Sequence, residues 1–231
     1  MILNIGYMKK LFVLAAVLMF SCAALCAQDY QMMPNQGKNM IYKVVSSAMG
    51  NEIVMYVTQK VQEADASSVT LAMTASSTEG GQGQTSSIKY NIEGDNYVIS
   101  LQDALAENLA QLGGNFEIIE SSGMLGYPIA LTPETEMEGA KMKIKVSMQG
   151  MELVMDLAIQ DRKAAGEESI TTPAGTFECL KFTENQTVTV MGQQQVTNIT
   201  YWYGKGVGLV KQSTEAMGGM VSAELLLQKI E

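Results

Sequence analysis

The chain has 231 residues, 47% of them apolar and only 6% aromatic, with 24 Asp+Glu against 15 Lys+Arg. That length suits one all-β domain or two small ones, with apolar material for a full core. No histidine is present. Its lack excludes Ser-His-Asp and Cys-His nucleophile systems and imidazole-ligated metals, and the acidic balance argues against a nucleic-acid partner.

Lys9 and Lys10 precede an unbroken apolar run from Leu11 to Phe20. The run is too short to span a bilayer and suits a secretory signal. Leu25-Cys26-Ala27 offers a cleavage site before Gln28, although Leu25 is larger than such a site prefers. Met8 is an alternative start, because Met8-Lys9-Lys10 opens a signal of ordinary length. Residues 1–27 are therefore expected to be a signal peptide, and the protein periplasmic or secreted. The competing expectation is a lipid anchor at Cys22, against which Met19-Phe20-Ser21 are bulky for a lipobox.

Removing residues 1–27 takes away Lys9, Lys10 and no acid, leaving 13 Lys+Arg against 24 Asp+Glu, a net charge of −11. Such a surface repels nucleic acid and anionic membranes. No later stretch is long and apolar enough to span a bilayer. Of three cysteines only Cys179 follows the signal. An internal disulfide is then excluded, and stability must come from packing. Cys179 sits in an alternating strand pattern, Phe177 to Phe182, which predicts a buried, inert thiol; a reactive or intermolecular thiol is the alternative.

Residues 28–38 are polar, contain Pro34 and Gly37, and predict a flexible lead-in to a single β domain over 39–231. Strands are predicted over 40–48 and 53–61, joined at Met49-Gly50-Asn51, and over 69–75. Ser76 to Ser87 reads as an exposed loop. Residues 88–92 and 97–99 form a hairpin around Glu93-Gly94-Asp95-Asn96. Leu101, Leu105, Leu109 and Leu112 recur at helical spacing, with Ser100 or Asp103 as cap and Gly113-Gly114 as stop, so one short amphipathic helix is expected to plug the sheet.

Met142, Ile144, Val146 and Met148 alternate with Lys141, Lys143, Lys145 and Ser147. After Gln149-Gly150 come Met151, Leu153, Met155, Leu157 and Ile159. Period two on both arms predicts a hairpin with one buried and one wet face, the lysines guarding against edge-to-edge pairing. Residues 169–172, a turn at Pro173-Ala174-Gly175, and strands over 177–182, 186–190, 195–203, 207–212 and 220–227 complete the domain. Gly204, Gly206 and Gly208 mark bulges or tight bends.

Two segments recur in order. Gly50-Asn51-Glu52-Ile53-Val54-Met55 returns 100 residues later as Gly150-Met151-Glu152-Leu153-Val154-Met155. Gly81-Gln82-Gly83-Gln84 with Ile88-Lys89-Tyr90 returns 111 residues later as Gly192-Gln193-Gln194-Gln195 with Ile199-Thr200-Tyr201. Either the domain is a duplication with halves 39–112 and 139–231, or similar strands obey similar rules. The fold expected is all-β: one large curved antiparallel sheet forming an open or half barrel, with one short helix.

Thr172-Pro173-Ala174-Gly175-Thr176-Phe177-Glu178-Cys179 and Tyr201-Trp202-Tyr203-Gly204-Lys205-Gly206-Val207-Gly208-Leu209-Val210-Lys211 together resemble the TapB-like group of exported bacterial proteins of unknown function. The resemblance covers roughly the last sixty residues. It implies a highly curved antiparallel sheet or open barrel in an envelope or secreted protein, and it brings no catalytic residues.

Chemistry is sparse. One cysteine cannot build a thiolate metal site, and Gly204-Lys205-Gly206-Val207-Gly208 opens no helix, so it is a β-turn rather than a phosphate cradle. Glu134, Glu136 and Glu138 alternate and would crowd one strand face; paired carboxylates can hydrolyse glycosides or hold calcium, but a solvated edge explains them. Thioether clusters bind Cu(I). Met142, Met148, Met151 and Met155 are explained by core packing, whereas Met32-Met33 and Met217-Gly218-Gly219-Met220 fall in expected loops and are less well explained. No catalytic residue, metal or cofactor is expected.

Tyr201 and Tyr203 share one strand face and Trp202 the other. The expectation is non-catalytic binding of an apolar or glycan ligand or a partner protein on the concave face, with Tyr201, Trp202 and Tyr203 as the stacking candidates. The alternative is a structural or interaction protein of the cell envelope with no small ligand; a carboxylate-only hydrolase is third.

Overall fold

This computed structural model describes residues 30–100, 103, 115–122, 124–148 and 151–231. Its strands are β1 (Tyr30–Gln31), β2 (Asn39–Ala48), β3 (Asn51–Ala64), β4 (Ser68–Ser76), β5 (Gln84–Glu93), β6 (Asn96–Ile99), β7 (Asn115–Ser122), β8 (Leu125–Pro128), β9 (Ala130–Leu131), β10 (Glu136–Met137), β11 (Ala140–Met148), β12 (Met151–Thr172), β13 (Gly175–Val190), β14 (Gln193–Gly204), β15 (Gly208–Ala216) and β16 (Val221–Ile230). The expected all-β class holds, and the sheet is not closed into a barrel.

Fourteen strands share one sheet in the order β7-β11-β12-β13-β14-β15-β16-β2-β3-β4-β5-β6-β8, with β10 pairing β12. Two meanders, β11–β16 and β2–β6, are zipped together where β16 pairs β2 from Val221↔Ala48 to Ile230↔Met40. The end strands β7 and β8 follow each other in the chain. Three residue steps separate Ser122 from Leu125, so the two edges come within about 11 Å there. The sheet thus curls almost full circle and stops short of pairing its edges.

Period two sorts the side chains. Met142, Ile144, Val146, Met155 and Ile159 join Tyr42, Val57, Leu71, Tyr90, Phe182, Tyr201 and Leu227 in one buried inner cluster. The outer lysines of β11 do not guard an edge, because β7 covers that strand. They bridge neighbours instead: Lys145 to Glu117 at 2.9 Å and Lys143 to Asp156 at 3.4 Å.

Two expectations are corrected. The polar lead-in does not run free at its start. Tyr30 and Gln31 pair with β9, and Met32 and Met33 are fully buried in the inner cluster. Both methionines pack among the inward-facing side chains of the strands. Second, β12 does not pause after Ile159. It runs to Thr172 across two bulges, between Gln160 and Lys163 and between Ala164 and Glu167. The bulges let polar residues interrupt the alternation without ending the ladder.

The repeated segments occupy corresponding hairpins: β2–β3 against β11–β12, and β4–β5 against β13–β14. The extra length of the later half lies in the strands, since β12 has 22 residues where β3 has 14, and not in the Pro173-Ala174-Gly175 turn. The helix expected over 101–112 lies outside the described residues apart from Asp103, whose N–H donates to Ser100 Oγ at 3.0 Å, the bond of a helix N-cap.

Candidate functional site

The three aromatic candidates fall on the faces that alternation assigns. Tyr201 and Tyr203 point inward, stacked at 5.7 Å and 18°. Both are buried beneath the inner cluster. They are core residues in this structure and present no ring face to a ligand. Trp202 points outward into a small cluster with Cys179 and Val210. Its indole N–H donates to Glu168 Oε1 at 2.7 Å, and the Lys181 and Lys211 ammonium groups lie 5.6 and 5.3 Å from its ring. The Trp202 bond holds the Glu168 carboxyl below its usual range, helped by Lys181. Burial, then Glu178 and Glu168, push the Cys179 thiol up to about 12, so it is not a nucleophile near neutral pH. The outer cluster is closed by its own charges.

Inside the sheet sits a polar network that the sequence reading missed. The bulge at Asp161-Arg162 sets two β12 residues against Glu184 of β13 and turns Arg162 inward. Asp161 takes a left-handed φ of 53° to allow it, and Asn185 Nδ2 donates to its carboxylate at 2.8 Å. Arg162 Nε donates to Glu184 Oε2 at 3.3 Å and Nη1 to the Glu138 carbonyl at 2.9 Å. Tyr201 and Gln186 donate to the other Glu184 oxygen at 2.9 and 3.0 Å. The guanidinium lies 4.6 Å from the centre of the Tyr127 ring. Burial opposes the arginine charge, but Tyr127 and Glu184 outweigh it and hold the group protonated. Burial, then Glu184, raises the Tyr201 phenol well above its usual range. Both Glu184 oxygens are taken up and Arg162 uses Nε and Nη1, while its buried Nη2 has no hydrogen-bond partner and faces the cost of desolvation. Arg162 is the chain's one arginine, and that lone choice over lysine was the available signal.

Glu134, Glu136 and Glu138 are exposed, and Glu136 pairs Lys163 on β12. Among the described residues no group of three or more His, Cys, Asp or Glu is placed to hold a metal ion.

The exposed apolar side chains gather elsewhere. Strand direction puts the β2–β3, β13–β14 and β15–β16 turns on one rim of the sheet. Each opens with Met-Gly: Met49-Gly50, Met191-Gly192 and Met217-Gly218. The methionines are 63%, 82% and 37% exposed, and Met220, Ile53, Val54, Val154 and Val196 beside them are also exposed.

A family profile described as DUF3108-like matches residues 35–226, from the lead-in through most of β16. The chain belongs to the DUF3108-like family. No protein of curated function matches it. Two solved structures share the fold. One is a candidate lipoprotein from Parabacteroides distasonis, 20% identical, with a TM-score of 0.59, covering 90% of this chain and 100% of that one. The other is a candidate exported protein with a YmcC-like fold from Bacteroides fragilis, 16% identical, with a TM-score of 0.57, covering 89% and 100%. The DUF3108-like match spans the first half as well as the last sixty residues, where the TapB-like motifs lie, and gives the family in place of that narrower group.

Proposed function

We propose that this DUF3108-like chain is an exported, non-catalytic protein of the cell envelope that binds a partner protein through its methionine-tipped rim. One observation carries the reading: among the described residues the inward side chains are buried against one another, Met32 and Met33 included, while exposed apolar side chains collect on that rim. A small apolar or glycan ligand on the concave face is thereby the weaker reading. The signal-like start and the names given to the two structural neighbours support export.

Geometry favours a protein over a lipid surface. Tyr30 bridges Lys205 at the opposite rim. Cys22 lies eight residues before Tyr30, a tether of about 28 Å at full stretch. Strand β14 alone puts 12 residues between the rims, about 40 Å. An anchor at Cys22 would hold the far rim against its membrane and turn the methionines away from it. The acidic surface also repels anionic lipid.

Site-specific photo-cross-linkers placed at Met191 and Val196 in whole cells test this. The expected result is one discrete protein adduct from both positions and none from Lys141 on the outer face. No adduct from either rim position, or equal adducts from Lys141, overturns it. Native mass spectrometry of the exported protein showing a stoichiometric small ligand would favour the concave-face reading.

A further inference from the structure

Met49, Met217 and Met220 meet at the junction of two hairpin tips. The Met49 N–H donates to the Met220 carbonyl at 3.3 Å, and the Met220 N–H to the Met217 carbonyl at 3.4 Å. All three side chains are exposed, Met220 at 60%. Neither usual reason for methionine applies. They fill no core gap, unlike Met32, Met33, Met40 and Met142. The backbone does not favour them either, since Met49 and Met217 hold left-handed φ values of 50° and 53°. Asparagine or glycine suits those positions better. What methionine alone adds at a wet turn is a soft, flexible thioether sulfur.

We propose that Met49, Met217 and Met220 form a three-thioether site for a soft monovalent cation, Cu(I) or Ag(I). Thioethers select such ions over hard divalent ones. The three residues stand on two tips already joined by backbone hydrogen bonds, and their exposed, flexible side chains are what the proposal asks to close on one ion. Thioethers carry no proton at neutral pH, so binding here is flat between pH 5 and 8. Carboxylate, imidazole and thiolate sites instead weaken as pH falls. The proposal does not rest on the partner-protein reading: silence toward Ag(I) leaves the cross-linking outcome standing, and the reverse holds too.

The test uses protein labelled with 13C at the methionine methyls, titrated with Ag(I) as a redox-inert probe. One equivalent is expected to shift the Met49, Met217 and Met220 methyl signals and leave Met191, on the neighbouring tip, unmoved. Competition with a chromogenic Cu(I) chelator under anaerobic conditions is expected to show at least a tenfold loss of affinity in the M49L/M217L/M220L triple variant, whose exposed leucines leave the fold intact. Three unmoved signals, a Met191 shift of equal size, or a triple variant that binds like the parent would overturn the proposal.

Discussion

Arg162 Nε lies 3.3 Å from Glu184 Oε2 inside the curled sheet, and each side chain is 1% exposed. The sheet could have closed this position with an apolar pair. Instead a β12 bulge turns a charge inward, where Glu184, the Glu138 carbonyl and the Tyr127 ring receive it. Desolvating two charges is expensive, so the pair adds little net stability, yet removing one partner strands the other. Its contribution is to register: Arg162 ties β12, β13 and the segment leading into β11 to one arrangement.

Arg162→Met or Glu184→Leu alone is therefore expected to lower unfolding free energy by about 3–5 kcal/mol, and the double variant to recover most of the loss. Arg162→Lys is expected to fail as well, because an ammonium cannot hold Glu184 and the Glu138 carbonyl in the same fork. Urea unfolding of the four variants checks this. A double variant as unstable as the sum of the singles would show that the two side chains act independently, and one no better than either single would show that the pair itself supplies the stability.

Alternation made the sheet legible. Met142 to Val146 and Met155 to Ile159 read as two arms with one buried face, and they are. The same period put Tyr201 and Tyr203 on one side of β14 and Trp202 on the other, as found. What it could not show is what lies opposite an inward face. Tyr201 reads the same whether that side is hollow or packed, and only the long-range docking of Met32 and Met33 decides. Arg162 hid for a different reason: a bulge shifts the period locally, so a buried charge looks like the end of a strand. The rim hid because Met49, Met191 and Met217 lie far apart in the chain and become neighbours through the meander order.

Lead-in docking depends on one glycine. Gly208 has a φ of 100°, and a Cβ there would lie 2.9 Å from the Met33 carbonyl carbon. Asn35 Nδ2 adds a bond to the Gly206 carbonyl at 2.8 Å. Gly208→Ala is expected to push residues 31–35 off β15, raising amide exchange there while the β2–β3 ladder stays protected. Met33→Ala should cost about 2–5 kcal/mol, as a buried methionine does. A cost under about 0.5 kcal/mol, the range of surface substitutions, would return the segment to a loose tail.

Alkaline stability follows from Cys179. Burial lifts the thiol from 9.0 to about 12 in the folded chain, whereas the unfolded chain releases its proton near the ordinary value. The contribution is full below about pH 9 and is lost as pH rises toward 12. Tyr201, also raised by burial, adds the same trend from pH 10 upward. Cys179→Ala is expected to flatten the decline between pH 9 and 10 and to leave the steeper loss above it. Unfolding free energies at pH 8, 9 and 10 decide; parallel declines in parent and variant would mean that the thiol is not sealed in.

The Met-Gly turns give the last prediction, because they set stability against function. Met191 and Gly192 have φ values of 50° and 75°, the pair of positive angles of a type I′ turn. A left-handed β-carbon costs about 1–2 kcal/mol, and asparagine, whose short polar side chain tolerates that region, lowers the cost. Met191 repays none of it through packing, being 82% exposed. Met191→Asn is therefore expected to raise stability by about 0.5–1 kcal/mol, and Met49→Asn by a similar amount, measured by thermal or urea unfolding. If the variants are more stable while Met191→Asn lowers the yield of the rim cross-link from Val196, the methionine is held there against the preference of the backbone, and the rim is a working surface. If stability falls instead, the side chain packs within the turn, and its exposure needs no functional account.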